Sequence, residues 1–315
     1  MDKKDLRIIY MGTPEFAVAP LKALVDNGFN VVAVVTGEDK PQGRGRTIKP
    51  TPVKELAVSL GIPVLQPAKL KDEIFQSELR SYKADLQVVV AFRMLPEAVW
   101  AMPKFGTFNL HTAILPQYRG AAPINWAVIN GETKTGVTTF MLDHDIDTGR
   151  ILLKKEIDIL PEDNAGSVHD KLMEVGSQLV VDTVEMILSG NVKSVAQSDL
   201  IAPGTVLKPA PKIFKDDCRL DFSKHGINIK NLVRGLSPYP TAFTTLKIKD
   251  KDMSLKVFAV DFEPSKGITE TGKLFTDNKT FIKISCADGY IQLLDIQLEG
   301  KKRMGVVDFL RGVKL

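Results

Sequence analysis

Residues 6–35 read LRIIYMGTPEFAVAPLKALVDNGFNVVAVV, and three patterns follow one another in them. Leu6 to Tyr10 is a short, continuously apolar run. Met11-Gly12-Thr13-Pro14 is a tight turn in which Thr13 can cap a helix and Pro14 can take its first position. The spacing predicts a helix from about Glu15 to Asn27, stopped at Gly28. Val31 to Val35 is a second continuous apolar run. Strands that are apolar at every position are covered on both faces, and the strand-helix-strand order makes them parallel. The fold class expected is therefore α/β, a doubly wound, mostly parallel sheet. The first turn has one of the three glycines of a G-x-G-x-x-G fingerprint, which argues against a nicotinamide-linked oxidoreductase. Gly12 still lets a substrate approach the backbone.

The same reading continues outward. Val53–Leu60, Ile74–Tyr82 and Ser167–Leu188 read as helices, and Pro63–Leu65, Leu86–Ala91, Thr107–His111, Val137–Met141 and Leu152–Ile159 as strands. Asp39 to Thr51 interrupts them with Lys40, Arg44, Arg46 and Lys49, two glycines and two prolines, and reads as an exposed loop. Residues 1–196 are thus expected to form a first domain. Residues 197–212, with three prolines, read as a linker. Residues 213–315 change character: Ala242–Ile248, Leu255–Phe262, Phe281–Cys286 and Tyr290–Leu298 are short strands between glycine- or charge-bearing turns, the pattern of a small barrel or sandwich.

Charge follows the same division. Residues 1–205 hold 22 Lys and Arg against 25 Asp and Glu, a balance of −3, whereas residues 206–315 hold 20 against 13, a balance of +7. A basic final third points to a nucleic-acid contact, with a lysine-rich solvated surface as the plainer alternative. The chain is 44% apolar and 25% charged, the proportions of a soluble globular protein. No apolar run approaches the roughly 18 residues of a membrane span, and the opening MDKKDLRIIYMG leads directly into a strand, so a cytoplasmic protein is expected. Cys218 and Cys286 are far apart and carry neither a disulfide pattern nor a zinc pattern.

Two stretches can carry chemistry. Thr107-Phe108-Asn109-Leu110-His111 alternates polar and apolar residues, so Asn109 and His111 project side by side from a strand, ahead of the constrained Pro116-Gln117-Tyr118-Arg119-Gly120-Ala121-Ala122-Pro123. Asp143-His144-Asp145-Ile146-Asp147-Thr148-Gly149 resembles a calcium loop only superficially, since an EF-hand needs glycine sixth and glutamate twelfth, where Thr148 and Lys154 stand. It is either a turn or a carboxylate presented beyond a strand end. Taken alone, His111 is more often a core histidine than a catalyst, and no G-x-S-x-G elbow supports a serine hydrolase.

Asn109-Leu110-His111, Leu115 to Pro123 and Asp147-Thr148-Gly149 together resemble the signature of formyltransferases that use 10-formyltetrahydrofolate. Within that group the whole chain is similar to the methionyl-tRNA formyltransferases, from Ile8 to Pro14, through Lys40 to Arg46, to Ala210-Pro211-Lys212-Ile213 and Arg234 to Pro240. The resemblance implies formyl transfer from 10-formyltetrahydrofolate, without a metal, to the amino group of initiator methionyl-tRNA. It implies that the first domain is catalytic and the last an OB-like, tRNA-binding barrel. Asn109, His111 and Asp147 become the catalytic trio, Asn109 and an imidazolium at His111 stabilising an oxyanion, His111 shuttling a proton from the amine to N10, and Asp147 holding the ring, favouring its charged form and assisting amine deprotonation. The folate is expected against Ala113, Ile114, Leu115, Pro116, Val90, Phe92, Leu142 and Asp143. Lys40, Arg44, Arg46 and Lys49 are expected to meet tRNA, as are Lys301, Lys302 and Arg303. The expected partners are initiator methionyl-tRNA and tetrahydrofolate, with no membrane, and the protein is expected to be a monomer. A formyltransferase acting on an amino-sugar nucleotide or a ribonucleotide amine would share the trio but need neither the basic loop nor the positively charged last domain. An RNA-binding module with a decayed folate site would not need the trio.

Overall fold

The structure, a computed structural model, describes residues 2–42, 47–249 and 251–315. Arg44 and Arg46 lie outside the described residues. The first apolar run becomes β1 (Arg7–Gly12), followed by a 3-10 turn (Glu15–Ala17) and α1 (Val18–Asp26). β2 (Asn30–Val35) runs parallel to β1. Gly28, at φ +79°, makes the left-handed turn between α1 and β2 that the sequence predicted.

Residues 40–49, read as a loop, instead contain a two-stranded hairpin, β3 (Lys40–Gln42) against β4 (Thr47–Lys49). Both strands of a two-stranded ribbon are edges, so Pro41 withholds no needed donor, and this is why the proline-rich segment still pairs. α2 (Pro52–Ser59) follows, capped by the Thr51 hydroxyl, which accepts from Lys54 N at 3.1 Å. Then come β5 (Val64–Leu65), α3 (Glu73–Ser81), β6 (Leu86–Val90), the short α4 (Glu97–Trp100) and β7 (Thr107–His111). α5 (Pro123–Ile129) starts on its proline, and β8 (Lys134–Met141), β9 (Ile151–Asp158) and the long α6 (Ala165–Leu188) complete the series.

The main sheet has the order β5-β2-β1-β6-β7-β8-β9. Its central pairs are parallel and β8 is antiparallel to β7. The strand order runs outward in both directions from β1 and β6, so a crevice is expected beyond their carboxyl ends. One face is packed by Ile9, Met11, Ala33, Val35 and Val89 against Phe75 and Leu79 of α3 and Val99 of α4. On the other face α6 lies close to the sheet at Gly176, where a Cβ would come within 2.9 Å of Leu110.

After β9 and α6 the chain continues into α7 (Gly226–Leu236) and an antiparallel sheet built from β10 (Ala242–Ile248), β11 (Lys251–Pro264), β12 (Leu274–Thr276), β13 (Ile282–Cys286), β14 (Gly289–Leu298) and β15 (Met304–Gly305), ending in α8 (Val306–Gly312). The order β10-β11-β14-β13-β12, with register shifts in β11 between Val257 and Val260, makes a curled half-barrel. Ile229, Val233 and Leu236 of α7 fill its concave side together with Phe309 and Leu310 of α8. Cys218 and Cys286 are buried free thiols in the same core.

The chain divides into two compact units, one of residues 1–120, 136–157 and 169–209, the other of residues 121–135, 158–168 and 210–315. The second unit includes α5, whose Asn125 donates Nδ2 to Gly235 O of α7 at 2.7 Å.

Candidate active site

The site lies in the first unit, at the carboxyl end of β7. Asn109 pairs with Val89 on β6 and with Phe140 on β8, so its side chain shares their face of the sheet. His111, two residues on, shares that face, and its ring meets Phe140 edge-on at 6.4 Å between centroids. Leu110 between them points to α6. The amide of Asn109 is half-buried and makes no hydrogen bond with any described residue. Its N–H groups therefore remain available to a carbonyl oxygen placed beside β7.

His111 is 5% exposed. Its Nε2 lies 2.8 Å from Tyr118 O and its Nδ1 lies 3.9 Å from Asp147 Oδ2. Burial pushes the imidazole below its ordinary value of 6.5, while the Asp147 charge and the Tyr118 carbonyl pull the other way without reversing the shift. The resting ring is thus held neutral, where the sequence reading expected an imidazolium. A carbonyl oxygen only accepts, so the neutral ring carries its hydrogen on Nε2 and keeps a lone pair on Nδ1, towards Asp147.

Both residues that orient the ring have left-handed backbone, Tyr118 at φ +59° and Asp147 at φ +55°. Such conformations cost about 1–3 kcal/mol in a non-glycine residue and persist where neighbouring contacts over-determine them. Tyr118 N donates to Lys208 O at 2.7 Å, and Gly120 N donates to Asp147 Oδ2 at 3.0 Å. Asn109 and His111, expected side by side on one strand, are therefore joined by a carboxylate from a separate motif, Asp147, which is tied to the loop after that strand.

The segment expected to face the folate follows His111 directly. Thr138 on β8, paired with His111 across the strands, donates Oγ1 to Ala113 O at 2.7 Å and accepts from Leu115 N at 3.2 Å. Leu115 is fully buried with Phe140 and Ile151, and Ile114 reaches Gly136, so both side chains are structural. Val90 pairs with Leu110, which turns its side chain to the α6 face and leaves only its main chain towards the site. Phe92 and Leu142 are partly buried against the cluster of Ile9, Val89 and Leu95, whereas Asp143 is exposed. Arg93, next to Phe92, donates to the carbonyls of Pro67 and Ala68.

The basic candidates differ in how they are held. Lys40 and Lys49 are exposed and face each other across the hairpin. Lys301 and Lys302 are exposed, but Arg303 donates twice to Asp295 Oδ2, at 2.8 and 2.6 Å, and its guanidinium lies 4.1 Å from the centre of the Phe258 ring. The second unit also carries a groove of about 810 Å³, lined among others by Phe214, Lys215, Tyr239, Phe243 and Lys256, with Phe214 62% and Tyr239 82% exposed. The sequence reading missed this groove, as it missed Thr138 and Gln197. Among the described residues, no group of three or more His, Cys, Asp and Glu side chains is placed to share a metal ion, and no helix is long and apolar enough to cross a membrane.

The sequence profile of the family "Formyl transferase" matches residues 6–184, and that of "Formyl transferase, C-terminal domain" matches residues 212–314. The "Methionyl-tRNA formyltransferase" of Parabacteroides distasonis is 54% identical, over 100% of this chain and 98% of its own. The protein of the same name from Phocaeicola vulgatus is 56% identical, again over 100% and 98%. Among solved structures, HypX from Aquifex aeolicus in complex with tetrahydrofolic acid matches with a TM-score of 0.63 at 17% identity, over 98% of this chain and 48% of HypX, so this chain spans about half of HypX. An N-formyltransferase from Helicobacter canadensis in complex with folinic acid and dTDP-3-aminofucose matches with a TM-score of 0.64 at 17% identity, over 96% of this chain and 100% of its own. At such identities the likeness to the solved structures is one of fold.

Proposed function

The chain belongs to the formyl transferase family, and on that premise we propose that it moves the formyl group of 10-formyltetrahydrofolate to the amino group of initiator methionyl-tRNA, giving N-formylmethionyl-tRNA for translation initiation. The observation that carries this reading is Nδ1 of His111 facing the Asp147 carboxylate at 3.9 Å beside the unused amide of Asn109, in a chain alignable from end to end with proteins of that name. His111 takes the proton that the attacking amine loses. Asp147 stabilises the imidazolium so formed, and His111 then returns the proton to the departing folate nitrogen. Asn109 directs an N–H at the formyl oxygen, where negative charge develops. One C–N bond forms, one breaks, and one proton is relayed.

The folate is assigned to the crevice beyond β1, β6 and β7, against the main chain of Ala113 to Pro116 and Val90, with Phe92, Leu142 and Asp143. The unused amide of Asn109 fits the reactive carbonyl, whereas Gly12, buried at the end of β1, makes room for the side chains of Ala17 and Tyr10 and not for a substrate. Residues 1–196 are assigned to catalysis, 197–212 to a linker and 213–315 to tRNA. Lys40 and Lys49 repel each other across the hairpin, and a phosphate between them would relieve that repulsion. Arg44 and Arg46, which lie between these two lysines in the sequence, are assigned to the same RNA contact. Lys301, Lys302 and Arg303 meet the RNA backbone, and Phe214 and Tyr239 offer exposed rings to unpaired bases. We propose further that the protein works in the cytoplasm, as a monomer.

A formyl-transfer assay with methionyl-tRNA and with dTDP-amino sugars tests the reading. Turnover of methionyl-tRNA alone is expected; turnover of the amino sugar alone, or RNA binding without turnover, overturns it.

A further inference from the structure

We propose that Gln197 is a positioning residue of this site, tying the loop that carries Asp147 to the loop that carries Tyr118 and Arg119. The inference rests on the function proposed above and adds to it a residue that lies between the two matched family profiles. Gln197 opens a single 3-10 turn, Gln197–Leu200, in the segment expected to be a plain linker. Between Ile187 and Ala210 it is the one buried side chain, at 3% exposure, while Val192, Val195, Leu200 and Val206 in the same segment are 40% or more exposed. A linker that buries its glutamine and exposes its aliphatic residues inverts the ordinary preference, so the amide is held there by its bonds.

Those bonds use every hydrogen-bonding position of the side chain. Nε2 donates to Asp147 O at 2.8 Å and to Gly149 O at 2.9 Å. Oε1 accepts from Arg119 Nε at 3.0 Å and from Arg119 Nη2 at 2.7 Å. The amide cannot be reversed without facing oxygen to oxygen on one side and donor to donor on the other. One residue beyond Arg119, Gly120 N donates to the Asp147 carboxylate itself. The two loops are thus cross-tied twice, by Gln197 between the Arg119 guanidinium and the carbonyls of Asp147 and Gly149, and by the Asp147 carboxylate on Gly120 N. Asp147 sits at φ +55°, and the amide of Gln197 bonds the carbonyl of that same residue. Releasing this bond lets the backbone relax and withdraws the carboxylate from Nδ1 of His111, 3.9 Å away.

An aliphatic residue would fill the volume equally well, so the inference is separable from simple packing. The test is steady-state formylation of methionyl-tRNA by the full chain, as wild type, Gln197→Leu and Gln197→Glu. Gln197→Leu is expected to lower kcat by about 10- to 100-fold, with KM for both substrates within about threefold, because the binding groups are untouched while the reacting ones are displaced. The His111 ring, followed by NMR, is expected to titrate lower in this variant, because Asp147 is the charge that faces it beside Phe140 and the Tyr118 carbonyl. Gln197→Glu keeps the acceptor for Arg119, loses both N–H donors and is expected to lose kcat to a similar extent. Wild-type kcat in Gln197→Leu, a loss confined to KM, or a kcat loss with unchanged His111 titration overturns the proposal. Should the leucine variant fail to fold, the isosteric glutamate variant decides, and wild-type kcat there overturns it. An inactive wild type would instead sink the underlying function.

Discussion

Nε2 of His111 is bound to the main-chain oxygen of Tyr118 at 2.8 Å, and this one contact decides which ring nitrogen does the work. With Nε2–H committed, only Nδ1 can receive a proton from an incoming amine. His111→Ala is therefore expected to lower the formylation rate by a factor of roughly 10²–10⁴. Affinity for methionyl-tRNA should stay near wild type; an equal loss of binding, measured by filter retention, would contradict the role.

The pH dependence follows with a definite sign. Burial holds the His111 pKa below 6.5, and the neutral form is the base, so kcat/KM should rise with pH through that lowered value and level off above it. Asp147→Asn removes a charge that raises the pKa, so the acid limb should move further down while the plateau drops. A limb that shifts upward would mean that Asp147 does not act on the ring. The same sign governs folding. The unfolded chain binds the proton more tightly, so the stability linked to His111 is complete above about 6.5 and is lost as pH falls through the folded value.

Thr138→Val keeps shape but removes the hydroxyl that serves Ala113 O and Leu115 N. Leaving those two buried groups unmatched is expected to cost about 2–4 kcal/mol in urea unfolding. KM for 10-formyltetrahydrofolate should rise as the segment after His111 loosens. A cost below about 0.5 kcal/mol would show that the hydroxyl is dispensable.

Gly149 lies directly against β8, where a Cβ would overlap the carbonyl oxygen of Met141. Gly149→Ala must displace the Asp147 loop and is expected to reduce kcat by about 10²-fold with little change in tRNA affinity. Unchanged kcat would show that the loop tolerates displacement.

The cluster at residues 301–303 should separate into two kinds of residue. Lys301→Ala with Lys302→Ala is expected to weaken tRNA binding and lower its salt slope by about 1–2, without changing the melting temperature. Arg303→Ala breaks the Asp295 contact and the stacking on Phe258, so it should also lower the melting temperature. Equal melting behaviour in both variants would remove this distinction.

Much of the fold could be read from the sequence, because buried parallel strands are apolar throughout and their helices end on glycine, as at Gly28 and Gly61. Asn109 and His111 could be paired from alternation alone. α7 could have been found from the spacing of Ile229, Val233 and Leu236, but a glycine at each end and the prolines after it disguised the period. The hairpin at residues 40–49 was hidden because its strands have three residues each. Thr138 and Gln197 leave no local trace: their partners lie 23–25 and 48–78 residues away. Only tertiary structure reveals that these ordinary polar residues hold main-chain groups.

Phe140 fills the core with Leu115 and Ile151 and also meets the His111 ring edge-on. The atoms that make this interior dry are therefore the ones that set how readily the imidazole accepts a proton. Improving the packing there for heat resistance would retune the acidity at which the protein works, so thermal hardening and pH optimum cannot be selected independently at this position.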